Sequence, residues 1–276
     1  MDEISLEGTV DLHIHAAPDL RPRLMDDIEL AHEAAAAGMR AVLLKSHHTL
    51  TADRAAIAEK HVGGLRVFGG LALNHAVGGL NPAAVEAALA LGAREIWMPT
   101  LDAANHRRAK GGDDGGITIL DETGALLPVV FEILSLIAEQ DVILGTGHLS
   151  VGEIQALVRA ARKSGVKRIV ITHPELPLVD MTVSVQQELA GADVFFERCL
   201  IVTTPGEGGV PLSAIAEAVH QVGPETTVMA TDFGQAENPP PVKGMRRYVA
   251  EMMGLGFSQK EIDRMTRANP TWLLGL

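Results

Sequence analysis

Eight short runs rich in β-branched and apolar residues alternate with longer Ala-rich segments along the whole chain, and this alternation restricts the fold more than any other feature. The runs are Thr9–His15, Arg40–His48, Leu65–Asn74, Arg94–Thr100, Val142–His148, Arg168–His173, Val194–Thr203 and Thr227–Asp232. Helical segments over Asp26–Met39, Thr51–Val62, Pro82–Leu91, Val129–Glu139, Val151–Ser164, Val183–Ala190 and Leu212–Gln221 separate them. Two further helices, Val242–Met253 and Ser258–Leu274, close the chain. Such repetition implies parallel pairing with helices outside the sheet. A closed barrel and an open doubly wound sheet both satisfy it. No Gly-x-Gly-x-x-Gly turn follows the first strand, which counts against a nucleotide-binding open sheet. The expectation is therefore an α/β chain forming a (β/α)8 TIM barrel, with residues 1–276 as a single domain.

Residues 101–128 interrupt the alternation after strand four and are read as an insertion. It holds the run Gly111-Gly112-Asp113-Asp114-Gly115-Gly116 and a small hairpin pairing Ile117–Leu120 with Ala125–Pro128. The insertion leaves the C-terminal face of the barrel, where active sites lie, so it is expected to act as a lid. An ordered oligomer contact is the competing reading.

Hydrophobic residues make up 47% of the chain and aromatics only 3%, so a large core is built from Ala, Val, Leu and Ile. The net charge is −12 and no basic stretch interrupts it, which argues against nucleic-acid binding. The single cysteine, Cys199, rules out an intrachain disulfide and fits a reducing compartment. Met1–Ser5 lacks the layout of a signal peptide, and no apolar run reaches the ~20 residues of a membrane span. The expected setting is cytoplasmic, the expected partner a small molecule, and a homo-oligomer is compatible with all of this.

The placement of the 11 histidines is the functional signal. His13 and His15 end strand one, His47 ends strand two, and His75 follows strand three. His148 ends strand five, His173 ends strand six, and Asp232 ends strand eight. In a parallel barrel these ends open onto one mouth. Residues two apart on a strand share a face, so His13 pairs with His15 and Lys45 with His47. By the same rule Ile169, Ile171 and His173 face inward together, as do Val228, Ala230 and Asp232. Several neutral imidazoles beside a carboxylate suit a divalent cation. His32, His61, His106 and His220 fall on helices or in the insertion and are read as structural, as is His48. Arg21 and Arg23, directly after the first motif, are candidates to meet a substrate anion, with Arg198 a weaker one.

Val10-Asp11-Leu12-His13-Ile14-His15, Thr146-Gly147-His148, Ile171-Thr172-His173-Pro174 and Ala230-Thr231-Asp232 together resemble the motifs of the amidohydrolase superfamily. The closing segment Ala268–Leu276 resembles the last helix of many members. The resemblance implies a hydrolase that activates water on one or two divalent cations to cleave an amide, lactam, ester or lactone. Zn is the expected metal, with Mn, Fe or Co accepted by the same donors. It implies that His13 and His15 bind one metal with Asp232, that His148 and His173 bind the other, and that Asp232 moves the proton. His75 and the three arginines would then face substrate. The strand-four carboxylated Lys or Glu that bridges two metals in many members has no counterpart at the C-terminal end of Arg94–Thr100, and Glu95 lies at the wrong end. Lys45 is the residue available to supply a carbamate from strand two; the competing role is an ammonium that stabilises negative charge. Lys45-Ser46-His47-His48-Thr49 also resembles a PHP-type phosphoesterase motif, which would make His47 a ligand, although Phe233-Gly234 replaces that family's late histidine. A non-catalytic barrel that binds metal and ligand is the third reading.

Overall fold

The computed structural model describes residues 4–112 and 115–276. Eight strands, β1 Val10–Ile14, β2 Ala41–Leu44, β3 Arg66–Ala72, β4 Glu95–Trp97, β5 Ile143–Gly145, β6 Ile169–Thr172, β7 Val194–Cys199 and β8 Thr227–Ala230, pair in sequence order. Every pairing is parallel. The two edges meet just beyond the strand ends: Asp232 N donates to His13 O at 2.8 Å, and His15 N donates to Phe233 O at 2.8 Å. The expected (β/α)8 barrel is the observed fold. Gly234 is required at this closure, because its φ is +131° and a Cβ there would lie 1.7 Å from His15 O.

The helices between the strands are α1 Asp27–Ala36, α2 Ala52–Val62, α3 Pro82–Ala90, α4 Ala104–Ala109, α5 Pro128–Gln140, α6 Val151–Lys163, α7 Val183–Leu189 and α8 Leu212–Val222. Their starts are written in the sequence. Asp26 and Glu29 form a reciprocal capping box on α1, and Ser150 with Glu153 does the same on α6. The chain ends in α9 Pro241–Gly254, α10 Gln259–Asp263 and α11 Asn269–Leu274. The single closing helix expected over Ser258–Leu274 is instead split by a wide turn at Arg264–Ala268, next to Pro270, whose missing N–H cannot continue the regular ladder.

Within the insertion, α4 was not foreseen. The hairpin expected over 117–128 survives as short pairing, with Asp121 N on Ala125 O and Leu127 N on Ile119 O. Asp113 and Asp114, inside the glycine-rich run, lie outside the described residues.

Side chains on alternate strand positions fill two layers. Val10, Leu12, Leu43, Phe68, Trp97, Val170, Phe195 and Val228 pack inside the barrel. Ile14, Leu44, Ile96, Leu144, Ile169, Ile171 and Phe196 pack outside it, against the helices. Few aromatics are available, so Trp97 fills much of the interior. It needs Gly145, where a Cβ would lie 2.3 Å from Trp97 Cδ1 and 2.5 Å from Glu95 Oε1.

Two strands correct the simple parity reading. Ile169 and Ile171 face the helices rather than the barrel interior. His173 reaches the mouth because its own backbone turns left-handed, with φ +49°; Asp232 does the same at φ +53°. On β1 the register slips between Asp11 and Ile14, so Leu12 can fill the interior while His13 still turns toward the mouth. Left-handed backbone at a non-glycine residue costs free energy and concentrates at functional sites.

Candidate metal centre

Three histidines from the ends of two strands, His13 and His15 at β1 and His173 after β6, surround the carboxylate of Asp232 after β8. His13 Nε2 lies 3.1 Å from Asp232 Oδ1, His15 Nε2 lies 3.0 Å from the same oxygen, and His173 Nε2 lies 3.3 Å from Oδ2. The imidazoles are sealed, at 0, 2 and 3% side-chain exposure, whereas Asp232 keeps 11% open toward the cavity in front. That cavity has a volume of about 130 Å³ and is also lined by His47, His148 and His106.

The protonation states test whether a cation fits. Burial pushes the His15 imidazole down to about 4, and it drives His173 well below the ordinary histidine value. Both rings are therefore neutral near pH 7 and present lone pairs. His13 Nδ1 is 2.9 Å from Glu197 Oε2, an atom that only accepts, so the ring carries its proton on Nδ1. That leaves His13 Nε2, which has no hydrogen-bond partner, as a lone pair facing a carboxylate oxygen. Burial opposes charge on His13, but the Asp232 charge beside Nε2 outweighs it and lifts the imidazole above its usual value, so this lone pair is where a cation, proton or metal, is drawn. Asp232 itself is pushed up by burial, yet the neighbouring imidazoles, His13 first among them, hold its carboxyl well below the usual carboxylate range. Lone pairs around an ionised oxygen pair call for positive charge in their midst. A divalent cation supplies it with donor types it prefers, so the residues fit a metal.

His173 meets Asp232 together with His13 and His15, and it also stands beside His148, the two ring centres 5.7 Å apart. His148 Nδ1 faces His106 Nδ1 at 2.8 Å, and the two rings stack with centroids 4.9 Å apart. His106 comes from α4 in the insertion; reading it as structural missed it, because nothing in the sequence places a surface-helix histidine over a distant strand end. Glu197 was also overlooked. Its signal was available, since it sits two residues after Phe195 and so shares that residue's face of the strand, opposite to Arg198. A carboxylate that holds the far nitrogen of a ligand histidine fixes its tautomer and orientation. Cys199 Sγ lies 3.6 Å from His13 Nδ1, and it offers a donor within 4.8 Å of donor atoms of His13, His173 and Asp232, so it borders the same buried group.

His47 lines the cavity with its ring stacked 4.9 Å from His15, and its Nδ1 is 2.8 Å from Thr100 Oγ1. Asn74 ties this corner together: its amide nitrogen donates to Thr100 Oγ1 and His47 O, and its oxygen accepts from Thr100 N. Lys45 points inward as expected, buried, with Nζ 5.1 Å from the Trp97 ring centre and no hydrogen-bond partner. Below it Glu95 is fully buried. Burial and the nearby Glu197 charge push its carboxyl well up, and Lys45 opposes them.

Arg21 and Arg23 line the cavity, Arg23 paired to Asp19 at 2.5 Å. The other two substrate candidates stand elsewhere. His75 is exposed and donates from Nε2 to Gly115 O, tethering the insertion to the end of β3. Arg198 is buried outside the barrel, where it pairs with Glu175 and Gln186 and lies over Phe196. Even-numbered positions on β7 face the helices, which is why it cannot reach the mouth.

Solved structures with the same fold include an amidohydrolase from Pseudomonas aeruginosa, at 13% identity and TM-score 0.66 over 99% of this chain and 96% of that one. A lactonase from Listeria monocytogenes matches at 12% identity and TM-score 0.63 over 98% and 95% of the two chains. A 2,6-dihydroxybenzoate decarboxylase matches at 13% identity and TM-score 0.59 over 98% and 100%. No curated protein matches by sequence. At these identities the structures establish a shared fold. A family model matches residues 8–197, most of the barrel, and by it the chain belongs to the family described as a family of unknown function, DUF6282.

Proposed function

We propose that this protein is a metal-dependent hydrolase of the amidohydrolase type, cleaving an ester, lactone, amide or lactam of a small molecule. The observation that carries the reading is the convergence of His13, His15 and His173 on the carboxylate of Asp232 beneath an open cavity. A fold shared with an amidohydrolase and a lactonase supports it; by itself a fold hosts many chemistries.

His13, His15, His173 and Asp232 would hold one divalent cation, most simply Zn. Such an ion supplies Lewis acidity, lowering the pKa of water from 15.7 toward ~7 and polarising a carbonyl oxygen. Asp232, ionised and partly open to the cavity, accepts the proton of the attacking water and returns it to the leaving group. Glu197 keeps His13 in the required tautomer. His47, on the cavity wall, is placed to hydrogen-bond the substrate oxygen that gains charge.

Lys45 acts here as an ammonium. It sits over an aromatic face, and its charge opposes the push that burial and the Glu197 charge exert on the buried Glu95 carboxyl. A carbamate would add negative charge beside these carboxylates. Without that bridge, a single metal per chain is the consistent stoichiometry.

The test is a panel of lactones, carboxylic esters, amides and phosphodiesters offered to metal-supplemented protein and to Asp232→Asn. Carbonyl substrates should turn over, and the variant should lose roughly 10²–10⁴-fold in kcat while melting normally. Turnover confined to phosphodiesters would replace this reading with the phosphoesterase one. Full metal with no turnover of any class would leave a binding barrel.

A further inference from the structure

The chain as a whole carries −12, yet the rim of the cavity in front of Asp232 carries a surplus of positive charge. Arg21, from the loop after β1, and Lys110, just past α4, both line the cavity, both are exposed, and neither forms an ion pair among the described residues. The cavity-lining acids are Asp232, engaged by three histidines, and Glu207. The positive surface continues outward. An adjoining hollow is bounded by Arg21, Lys110 and Arg107, the last 3.9 Å from Asp102.

These charges act on the site itself. The His106 imidazole is held down to about 4, first by burial and then by Lys110 and Arg21, so both cations are near the ring that covers His148. The loop that carries Arg21 is anchored from below. Arg54 donates to Pro18 O and Ala16 O while pairing with Asp27, and Leu24 N donates to Gly234 O. Leu101, Leu176, Leu178 and Ile201 add an apolar wall to the same cavity.

Resting on the hydrolytic reading above, we infer that the substrate is an organic carboxylate, whose anionic end is held by Arg21 and Lys110 while its apolar body lies against the leucine wall. Charge-assisted contacts to arginine and lysine select an anion over its neutral isostere. The apolar wall selects an organic anion over inorganic phosphate. Because Lys110 belongs to the insertion and Arg21 to the β1 loop, binding such an anion also bridges the two segments across the mouth.

Benzoate and benzamide, equal in shape and different in charge, are suitable probes, with inorganic phosphate as a third. Calorimetric titration of the metal-loaded protein should show benzoate binding at least roughly tenfold tighter than benzamide, and tighter than phosphate. In the double variant Arg21→Gln/Lys110→Gln, the benzoate preference should fall below about threefold, with benzamide affinity and metal content unchanged. Metal coordination of the carboxylate is common to both proteins, so the difference reports the rim. An unchanged preference in the double variant, or phosphate binding tighter than benzoate, overturns the inference. The readout does not depend on turnover. A failed hydrolase reading would therefore show as binding without reaction, and a failed carboxylate assignment as turnover of neutral substrates with no rim effect.

Discussion

Replacing Glu197 should weaken metal binding without unfolding the barrel. The His13–Glu197 contact is 2.9 Å long with both side chains at 0% exposure, so no water can substitute for the lost acceptor. A hydrogen bond to a charged group contributes about 1.5–3 kcal/mol, and outer partners of ligand histidines typically account for ~10–100-fold in metal affinity. Glu197→Gln keeps an acceptor oxygen but loses the charge, so it should sit near the lower end, about tenfold. Glu197→Ala frees the His13 tautomer and should approach 100-fold. Competition against a chromophoric chelator measures the dissociation constant, and a parallel thermal melt checks the fold. Unchanged affinity in the alanine variant would refute the claim that His13 ligates through Nε2 under the control of Glu197.

Three further outcomes follow from the packing and charges. Lys45→Met should keep its metal within about twofold while losing activity, because the side chain is read as an ammonium and not a ligand; loss of metal measured by elemental analysis would restore the carbamate. Gly145→Ala should destabilise the protein by about 1–3 kcal/mol in denaturant titration, since Trp97 and Glu95 occupy the space its methyl needs. Burial pushes the Asp193 carboxyl up, but hydrogen bonds from Arg162 outweigh it and leave it below its ordinary value of 3.8. A depressed carboxylate adds stability above its unfolded pKa and loses it as pH falls through the folded one. Asp193→Asn should therefore lower the melting temperature at pH 7, with the gap closing below about pH 3.8.

Most of the barrel was legible because each strand is a short apolar run and helix starts carry their caps, such as Asp26 and Ser150. The histidines that converge on Asp232 were legible because strand ends of a parallel barrel share one face. What parity could not supply was backbone conformation. His173 and Asp232 reach the mouth through left-handed residues, and Ile169 and Ile171 face opposite to the alternation drawn through His173. Contacts between distant elements were equally hidden. His106 meets His148 only because the insertion folds back over the mouth, and Arg198 is diverted because Glu175 and Gln186 lie outside the barrel to receive it. Lys45 faced inward as its strand position implied, but its role depends on Trp97 and Glu95, which come from another strand.

The most direct test of the account is to count and locate the metal. Elemental analysis of protein expressed with added Zn, paired with anomalous diffraction at the zinc edge, should give about one ion per chain among His13, His15, His173 and Asp232, as expected of a buried cluster of this kind. Less than about a tenth of an equivalent, or anomalous density between His106 and His148 with none at Asp232, would contradict it.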